Sequence, residues 1–283
     1  MSPLLGWIIV FSLIGGVFSA IAAAVFLLFP DRIRQAMLPH FVSFAIGALL
    51  GAAFLALIPH SLSAGTGIEF HELGLTLLIG ILGFFLMEKL VLWRHCHEHA
   101  CEVHTPDAHT HNEAHTHSEA SGPSGAYTIS DEQHSRAAGT LVLVGDAIHN
   151  LVDGVLIAAA FLTDFHLGII TTLAVAAHEI PQEVGDFAIL LNSGYSRGKA
   201  FLFNVLASVT TVIGALVAYF SLHQAEMVVP YILALTASSF IYIAVADLIP
   251  GLHKRVEFRE TLRQISLIVA GIAVIYFAHA TLH

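Results

Sequence analysis

Charged side chains are scarce in this chain, and positively charged ones are missing from its middle. Only 11% of the residues are charged and 56% are hydrophobic, with a mean hydropathy of +0.79. Soluble domains carry about 25% charged residues, so an ordinary soluble domain is excluded and a lipid bilayer is the expected surrounding, with no nucleic acid partner. No Lys or Arg occurs between Arg136 and Arg197, although that stretch contains several acids.

Apolar runs long enough to cross a bilayer recur along the chain. About 20 apolar residues span roughly 30 Å of hydrocarbon, and eight such runs can be counted. The first lacks a basic start and an Ala-x-Ala cleavage pattern, so it is interpreted as a retained span rather than a signal peptide. The sequence therefore predicts an all-α membrane protein with eight transmembrane helices. The predicted spans are residues 4–29, 38–60, 73–93, 139–161, 167–191, 200–222, 228–249 and 265–282.

Basic residues are concentrated on one side of the predicted membrane. All 11 Lys and Arg lie in or beside the segments that follow the first, third, fifth and seventh spans, and the other connections and both termini have none. Because cytoplasmic loops carry an excess of Lys and Arg, both termini are predicted to lie outside the cytoplasm and residues 94–138 inside it. We expect an integral, multi-pass protein of a bacterial cytoplasmic membrane.

Both cysteines lie in residues 94–138, the one long polar segment, which is also rich in His. Little in it can form a packed core, so we expect it to be disordered without a ligand. One interpretation is a solvated linker of biased composition. The favoured one is a low-specificity metal trap, since imidazole and thiolate bind Zn²⁺ and similar ions. The candidate ligands of this trap are His95, Cys96, His97, His99, Cys101, His104, His109, His111, His115 and His117.

The fourth and fifth spans carry polar side chains that a bilayer disfavours. One charged side chain at bilayer depth costs about 2.5–3.5 kcal/mol, so such residues normally face a cavity and serve a function. His149 and Asp153 are spaced i, i+4 and are neighbours on one helix face. With no Lys or Arg nearby, a bound cation is the best partner for the acids, and the mixture of imidazole, carboxylate and amide favours a borderline divalent ion. The candidate metal ligands are His149, Asn150, Asp153, His178, Glu179 and Gln182, with Asp146, Glu183 and Asp186 as further members.

A short repeated sequence indicates internal symmetry. Leu57-Ile58-Pro59 ends the second span and Leu248-Ile249-Pro250 ends the seventh, which crosses the membrane in the opposite direction. A 3+2+3 arrangement of spans fits an inverted repeat around a central site between the fourth and fifth spans, and chance similarity of apolar sequence is the alternative. The predicted units are spans 1–3 (1–93), the cytoplasmic segment (94–138), the site-bearing spans 4–5 (139–191) and spans 6–8 (192–283).

Two polar motifs lie on the fourth and fifth spans: His149-Asn150-x-x-Asp153-Gly154 and His178-Glu179-x-Pro181-x-Glu183-x-Gly185-Asp186. They resemble those of the ZIP family of divalent-metal transporters. The eight spans, the outside termini and the His-rich segment fit the family too, so the resemblance covers the whole chain. It implies a two-metal site at the six candidate ligands, metal movement toward the cytosol, a homodimer, and site-bearing helices that move against a scaffold.

The chain departs from the family pattern at several positions. Gln182 stands where family members generally carry His or Glu, and a neutral amide cannot offset the repulsion of two divalent ions about 4 Å apart. Ala52 and Ala56 stand where many relatives have an acid and a His, and Thr211 or its neighbours replace a Glu of some bacterial members. A weak second metal position is therefore expected. The tightly held ion is expected to be centred on His149, Asp153 and His178.

Transport of Zn²⁺ is the favoured function, and two other interpretations stay open. The stretch from His178 to Gln182 resembles a damaged His-Glu-x-x-His motif of an intramembrane metalloprotease, but Gln182 removes the second His ligand of that motif. A metal receptor that binds without transporting would need the same ligands. The imidazole of His178 favours Zn²⁺ over Mn²⁺ by ligand softness, and Cd²⁺, Fe²⁺ and Mn²⁺ are further candidate substrates.

Overall fold

The part of the chain that the structure describes is helical. The computed structural model describes residues 3–63, 69–96, 126–222, 226–253 and 257–282. Every regular element in those ranges is a helix, which confirms the all-α prediction for them. The predicted metal-trap residues from His97 to His117 lie outside the described residues, and His95 and Cys96 are described only as the last residues of a helix.

Eleven α-helices, two π-helical segments and one 3₁₀ turn follow one another in the described ranges. They are α1 (Pro3–Gly15), α2 (Val17–Phe26), α3 (Asp31–Gly51), a π-helical segment (Ala52–Leu57), α4 (Ile58–Ser63), α5 (Phe70–Cys96), α6 (Ala126–Thr163), α7 (Phe165–Asn192), α8 (Arg197–Leu222), a 3₁₀ turn (Glu226–Val228), α9 (Val229–Tyr242), a second π-helical segment (Ile243–Leu248), α10 (Ile249–Leu252) and α11 (Phe258–Leu282).

Seven helical stretches are long and apolar enough to cross a membrane, among the residues that the structure describes. The 28-residue helix α7 is long enough to be an eighth such stretch, but its polar site residues lower its mean hydropathy. The polar residues Glu179 and Glu183 of α7 are buried in the protein, so their charge does not face lipid. The seven stretches are Pro3–Phe26, Asp31–Ser63, Phe70–Lys89, Gly139–Thr163, Arg197–Leu222, Val229–Leu252 and Phe258–Thr281.

The second span is longer than the apolar run that predicted it. Its helix begins at Asp31, directly after Pro30, whereas the apolar run begins at residue 38. An acid in the first turn interacts favourably with the N-terminal end of the helix dipole, and Arg34 pairs with Asp31 one turn later. The helix therefore extends beyond the apolar sequence into a charged end.

Glycines bring α6 and α8 into direct backbone contact. A Cβ atom on Gly154 of α6 would overlap the carbonyl oxygen of Thr211 on α8, and a Cβ on Gly214 of α8 would overlap the carbonyl oxygen of Leu151 on α6. Small residues at such crossings let transmembrane helices approach closely, where lipid gives little hydrophobic drive for association. The pair holds the site-bearing helix α6 firmly against α8.

Both π-helical segments run into the repeated Leu-Ile-Pro sequence. The N–H of Ile58 donates to the carbonyl of Ala53, and the N–H of Ile249 donates to the carbonyl of Ala244. These i→i−5 bonds widen the helix just before Pro59 and Pro250, where the proline ring crowds a carbonyl of the preceding turn and its own N–H is missing. The sequence repeat thus coincides with a repeat of local structure. The inverted arrangement of the two halves stays a prediction.

A single residue joins the two site-bearing helices. Asp164 separates the end of α6 from the start of α7, and its Oδ1 accepts hydrogen bonds of 2.9 Å from the N–H groups of both His166 and Leu167. His149 lies 15 residues before this turn and His178 lies 14 residues after it. At 1.5 Å per residue, both imidazoles are at nearly the same distance from the turn, so they meet across the hairpin.

Candidate metal centre

Four side chains from α6 and α7 converge on one point. His149 and Asp153 come from α6, and His178 and Glu179 come from α7; the ligand atoms of all four lie within 4.8 Å of one another. The two Nε2 atoms of the histidines are 3.2 Å apart. The Nε2 of His178 is 3.3 Å from Oδ2 of Asp153, and the Nε2 of His149 is 3.4 Å from Oε1 of Glu179. We call this group the four-residue centre.

The centre is almost completely removed from solvent. Asp153, His178 and Glu179 are 0% exposed, and the side chain of His149 keeps 13% exposure. Within the described residues, neither carboxylate accepts a well-formed hydrogen bond. Burying such oxygens without a donor costs several kcal/mol, and a cation among the four side chains would remove that cost. The donor set and its burial therefore fit a divalent metal.

A hydrogen bond orients the imidazole of His178 toward the centre. Its Nδ1 lies 3.1 Å from the carbonyl oxygen of Ala174, one turn earlier in α7. A backbone carbonyl at Nδ1 holds the proton there and leaves Nε2 as the free lone pair, which is the usual arrangement of a metal-binding His. The ring also packs edge-on against Phe240 of α9, which shields the centre on that side.

The side-chain amide of the predicted ligand Asn150 is held by hydrogen bonds at both its oxygen and its nitrogen. Its Oδ1 accepts a bond of 2.7 Å from the hydroxyl of Thr211, and its Nδ2 donates a bond of 2.9 Å to Oδ1 of Asp146. Asn150 is fully buried. Thr211, at a position where the resemblance implies a Glu in some relatives, thus contributes a hydroxyl that fixes the amide of Asn150.

Three carboxylates form a second group next to the centre. Asp146, Glu179 and Glu183 offer ligand oxygens that lie within 4.8 Å of one another. Glu179 belongs to both groups. The hydroxyl of Ser208 donates a bond of 2.7 Å to Oε1 of Glu183, and the side-chain amide of Asn204 donates to the Glu183 carbonyl at 3.3 Å.

The predicted site residues Gln182 and Asp186 lie in the wall of an adjoining cavity. The cavity has a volume of about 330 Å³ and reaches from the four-residue centre to the end of the seventh span. Ala52 and Ala56, on the second span, are fully buried. The side chains that line the cavity include Glu88, Asp146, His149, Gln182, Asp186, Tyr242 and Asp247.

The sequence alone did not identify the polar residues of α8 that support the acids and Asn150. Asn204, Ser208 and Thr211 are spaced by four and three residues, so they lie on one face of the helix, and all three are buried. That spacing was the available signal. It was inconspicuous because single Ser and Thr residues are common in apolar spans.

A bundle of apolar helices with a buried His-carboxylate centre between two of them defines a polytopic membrane protein that handles a divalent metal. The profile of the ZIP zinc transporter family matches residues 4–279. The chain belongs to this family, and the resemblance drawn from the two motifs is confirmed.

Individual relatives cover most of the chain. Zinc transporter ZIP13 of Gallus gallus is 33% identical over 271 residues, which are 86% of this chain and 74% of the relative. Zinc transporter zipt-7.2 of Caenorhabditis elegans is 32% identical over 266 residues, 85% of this chain and 58% of the relative. The ZIP13 homolog of Drosophila melanogaster is 31% identical over 278 residues, 87% of this chain and 78% of the relative.

Family membership decides between the functional classes. Proteins of this family are zinc transporters, so the chain is a divalent-metal transporter and not an enzyme. The intramembrane metalloprotease interpretation of the stretch from His178 to Gln182 is set aside on that ground.

Proposed function

We propose that the protein moves Zn²⁺ across the membrane toward the cytosol through the four-residue centre. The observation that carries this proposal is the convergence of two imidazoles and two carboxylates in a buried position between adjacent helices. The six ligands implied by the resemblance divide into these four, the amide of Asn150 beside them and Gln182 in the cavity wall.

The dimensions of the centre support Zn²⁺ as the substrate. Zn–N and Zn–O bonds of about 2.0–2.1 Å give a tetrahedron with edges of about 3.3–3.4 Å. Five of the six edges of the four-residue centre measure 3.2, 3.3, 3.4, 3.7 and 3.8 Å. The mixed nitrogen and oxygen donors suit Zn²⁺ and Cd²⁺ better than the harder ion Mn²⁺, and Fe²⁺ and Mn²⁺ are proposed as weaker substrates.

The direction of transport rests on the basic residues and the cavity. The cavity extends from the centre past Asp186 to Asp247, toward the helix ends that precede Arg197 and Lys254. By the positive-inside rule these ends face the cytoplasm. We propose that the cavity is the exit toward the cytosol and that both termini lie outside, in a bacterial cytoplasmic membrane. The 3+2+3 unit division and the homodimer are proposed with it.

Flux measurements on the purified chain test the function. Reconstituted in vesicles, the protein should take up Zn²⁺ along its gradient, and Cd²⁺ should compete more strongly than Mn²⁺. Tight Zn²⁺ binding without any uptake would overturn the proposal in favour of a metal receptor.

The His-rich segment should contribute to metal binding but not to turnover. Deleting residues 95–117 removes all ten candidate trap ligands, and the segment lies on the proposed exit side, where it captures released ions. We expect fewer ions bound per chain in equilibrium dialysis and a Zn²⁺ flux within about twofold of the unmodified protein.

A variant that keeps the length of the segment separates metal binding from linker length. Replacing only its His and Cys residues by Ser should give the same result as the deletion, with fewer ions bound per chain and little change in Zn²⁺ flux. If the deletion removes flux as completely as His149→Ala does, the segment is part of the transport path and this interpretation is wrong.

Gln182→Glu should tighten metal binding and slow release. Gln182 and His149 both line the cavity, so a carboxylate at position 182 adds a negative charge on the proposed exit side of the centre. We expect Zn²⁺ affinity to rise about tenfold, equivalent to about 1.4 kcal/mol, and maximal flux to fall, because conduction needs sites weak enough to leave. Calorimetric titration and vesicle uptake measure the two effects. Gln182→Met is the neutral control, and unchanged affinity and flux in Gln182→Glu would contradict the prediction.

A further inference from the structure

Two hydrogen bonds between a tyrosine and a glutamate join α5 to α9. The hydroxyl of Tyr231, near the start of α9, donates to Oε2 of Glu72 at 3.0 Å. The hydroxyl of Tyr242, the last residue of α9, donates to Oε2 of Glu88. The two helices run in the same direction, because the earlier tyrosine bonds to the earlier glutamate. The two hydrogen bonds therefore lie at opposite ends of one helix pair.

Between these two hydrogen bonds, α5 and α9 are in close contact. The hydroxyl of Ser238 donates to the carbonyl oxygen of Leu77 at 3.2 Å, and a Cβ on Gly80 would overlap the side chain of Ser238. Small residues at a crossing let transmembrane helices pack closely. This crossing does not involve either tyrosine, so the loss of one Tyr–Glu hydrogen bond should leave the two helices packed together.

Of the two pairs, which both lie in the described part of the chain, only Tyr242 and Glu88 line the cavity next to the four-residue centre. The π-helical segment that begins directly after Tyr242 carries Asp247, which lines the same cavity. In a regular α-helix, five residues turn by about 500°, which would put Asp247 about 140° away from Tyr242 around the helix. In a π-helix, a residue lies about one turn from the residue five positions earlier. The widened turn thus places both side chains at the cavity.

The described part of the cavity wall carries several acids and neither Lys nor Arg. Its acids are Glu88, Asp146, Asp186 and Asp247. Several carboxylates around one cavity attract a divalent cation, whereas transport requires that each position on the way be weak enough to release the ion. A hydroxyl that donates to a carboxylate occupies one of its oxygen lone pairs and fixes its direction. Tyr242 supplies such a donor to Glu88.

We propose that Tyr242 is a positioning residue that speeds the release of the transported ion by holding Glu88 away from it. This role rests on the proposed function, in which the cavity is the exit toward the cytosol. With its Oε2 bonded to the Tyr242 hydroxyl, the Glu88 carboxylate is held toward α9 and is a weaker ligand for the passing ion. Without that hydroxyl, the carboxylate can turn into the cavity and bind the ion through both oxygens, which delays its release.

Tyr242→Phe tests this role, because it removes the hydroxyl and keeps the ring. In Zn²⁺ uptake by vesicles that contain the full chain, the maximal rate and the Zn²⁺ concentration at half-maximal rate should both fall about tenfold, the size of effect that a hydrogen bond to a charged group can have. Their ratio should stay unchanged, because entry of the ion is not altered. A variant that is merely less well folded would lose maximal rate at an unchanged half-maximal concentration.

Tyr231→Phe is the matched control, because it breaks the other Tyr–Glu hydrogen bond between the same two helices. Both kinetic parameters of this control should equal those of the unmodified protein. A chain that carries Glu88→Gln provides the second comparison. Adding Tyr242→Phe to it should cause no further change, since the amide lacks the charge that the hydroxyl restrains. An equal effect of Tyr231→Phe, a fall in maximal rate alone, or the same tenfold loss in the Glu88→Gln chain would overturn the role of Tyr242.

The unmodified chain distinguishes failure of this role from failure of the proposed function. If it takes up Zn²⁺ and Tyr242→Phe has the same kinetics, the proposed function stands and only the role of Tyr242 fails. If the unmodified chain binds Zn²⁺ without any uptake, the proposed function and the role of Tyr242 are both overturned.

Discussion

Zn²⁺ flux should fall at least about 100-fold when His178 is replaced by alanine. The imidazole is 0% exposed and its Nε2 lies 3.2–3.3 Å from the nearest atoms of His149 and Asp153. Loss of a residue that merely orients a metal ligand already costs about 10–100-fold, and His178 is proposed as a ligand itself. Without it an ion in the centre lacks one donor in a place that water cannot easily fill. Uptake of radioactive Zn²⁺ into vesicles measures the loss.

Variants of two other proposed ligands repeat this test, and a variant of a histidine outside the centre is its control. His149→Ala and Asp153→Ala should abolish flux in the same way, because they remove other donors of the same centre. His166→Ala removes a partly exposed imidazole from the start of the same helix and should retain flux. All variants should elute as folded protein in size-exclusion chromatography. Near-normal transport in the three ligand variants would disprove the assignment of the centre.

Gly154→Ala should destabilise the folded protein by at least about 3 kcal/mol, the upper end of the usual cost of overpacking. The added methyl group would overlap the carbonyl oxygen of Thr211, which is a backbone atom and cannot turn away as a side chain can. The helices α6 and α8 would have to separate, and the hydrogen bond from Thr211 to Asn150 would lengthen. Thermal unfolding in detergent and the yield of monodisperse protein measure the effect.

Gly83→Ala in α5 provides the comparison. A Cβ at Gly83 has no atom within 4 Å, and alanine is favoured over glycine inside a helix by about 1 kcal/mol. This variant should therefore be as stable as the unmodified protein or more so. Equal unfolding temperatures for Gly154→Ala and Gly83→Ala would show that the contact between α6 and α8 has room for the added methyl group.

The spans and the polar residues that converge in the four-residue centre were predictable because each leaves a strong local signal. Hydrocarbon requires about 20 apolar residues per helix, so the spans follow from composition alone. His149 and Asp153 are one turn apart, and their polarity stands out in an apolar segment that lacks Lys and Arg. The cost of placing such residues in a membrane is large enough to make a function the simplest explanation.

Other features of the site depend on contacts between helices, and a local sequence pattern does not predict such contacts. Nothing in the sequence around Glu179 indicates that it belongs to two groups of candidate ligands, because that depends on how α6 and α7 face each other. Ser208 and Thr211 gain their roles only from the closeness of α8 to the acids and Asn150. The repeated Leu-Ile-Pro sequence marked both π-helical segments, but the widened turns themselves come from hydrogen bonds that propensity does not predict.

Because the single residue Asp164 connects α6 to α7, the number of residues between His149 and His178 determines whether the two imidazoles meet. Each added residue turns a helix by about 100° and shifts it by about 1.5 Å, and a joint in which one residue separates two helices has no slack to absorb either change. An insertion beside Asp164 would turn His178 and Glu179 away from His149, although no ligand is altered. Natural variation in this hairpin should therefore keep the number of residues between the two histidines fixed, even where residues of the turn other than the capping Asp164 change.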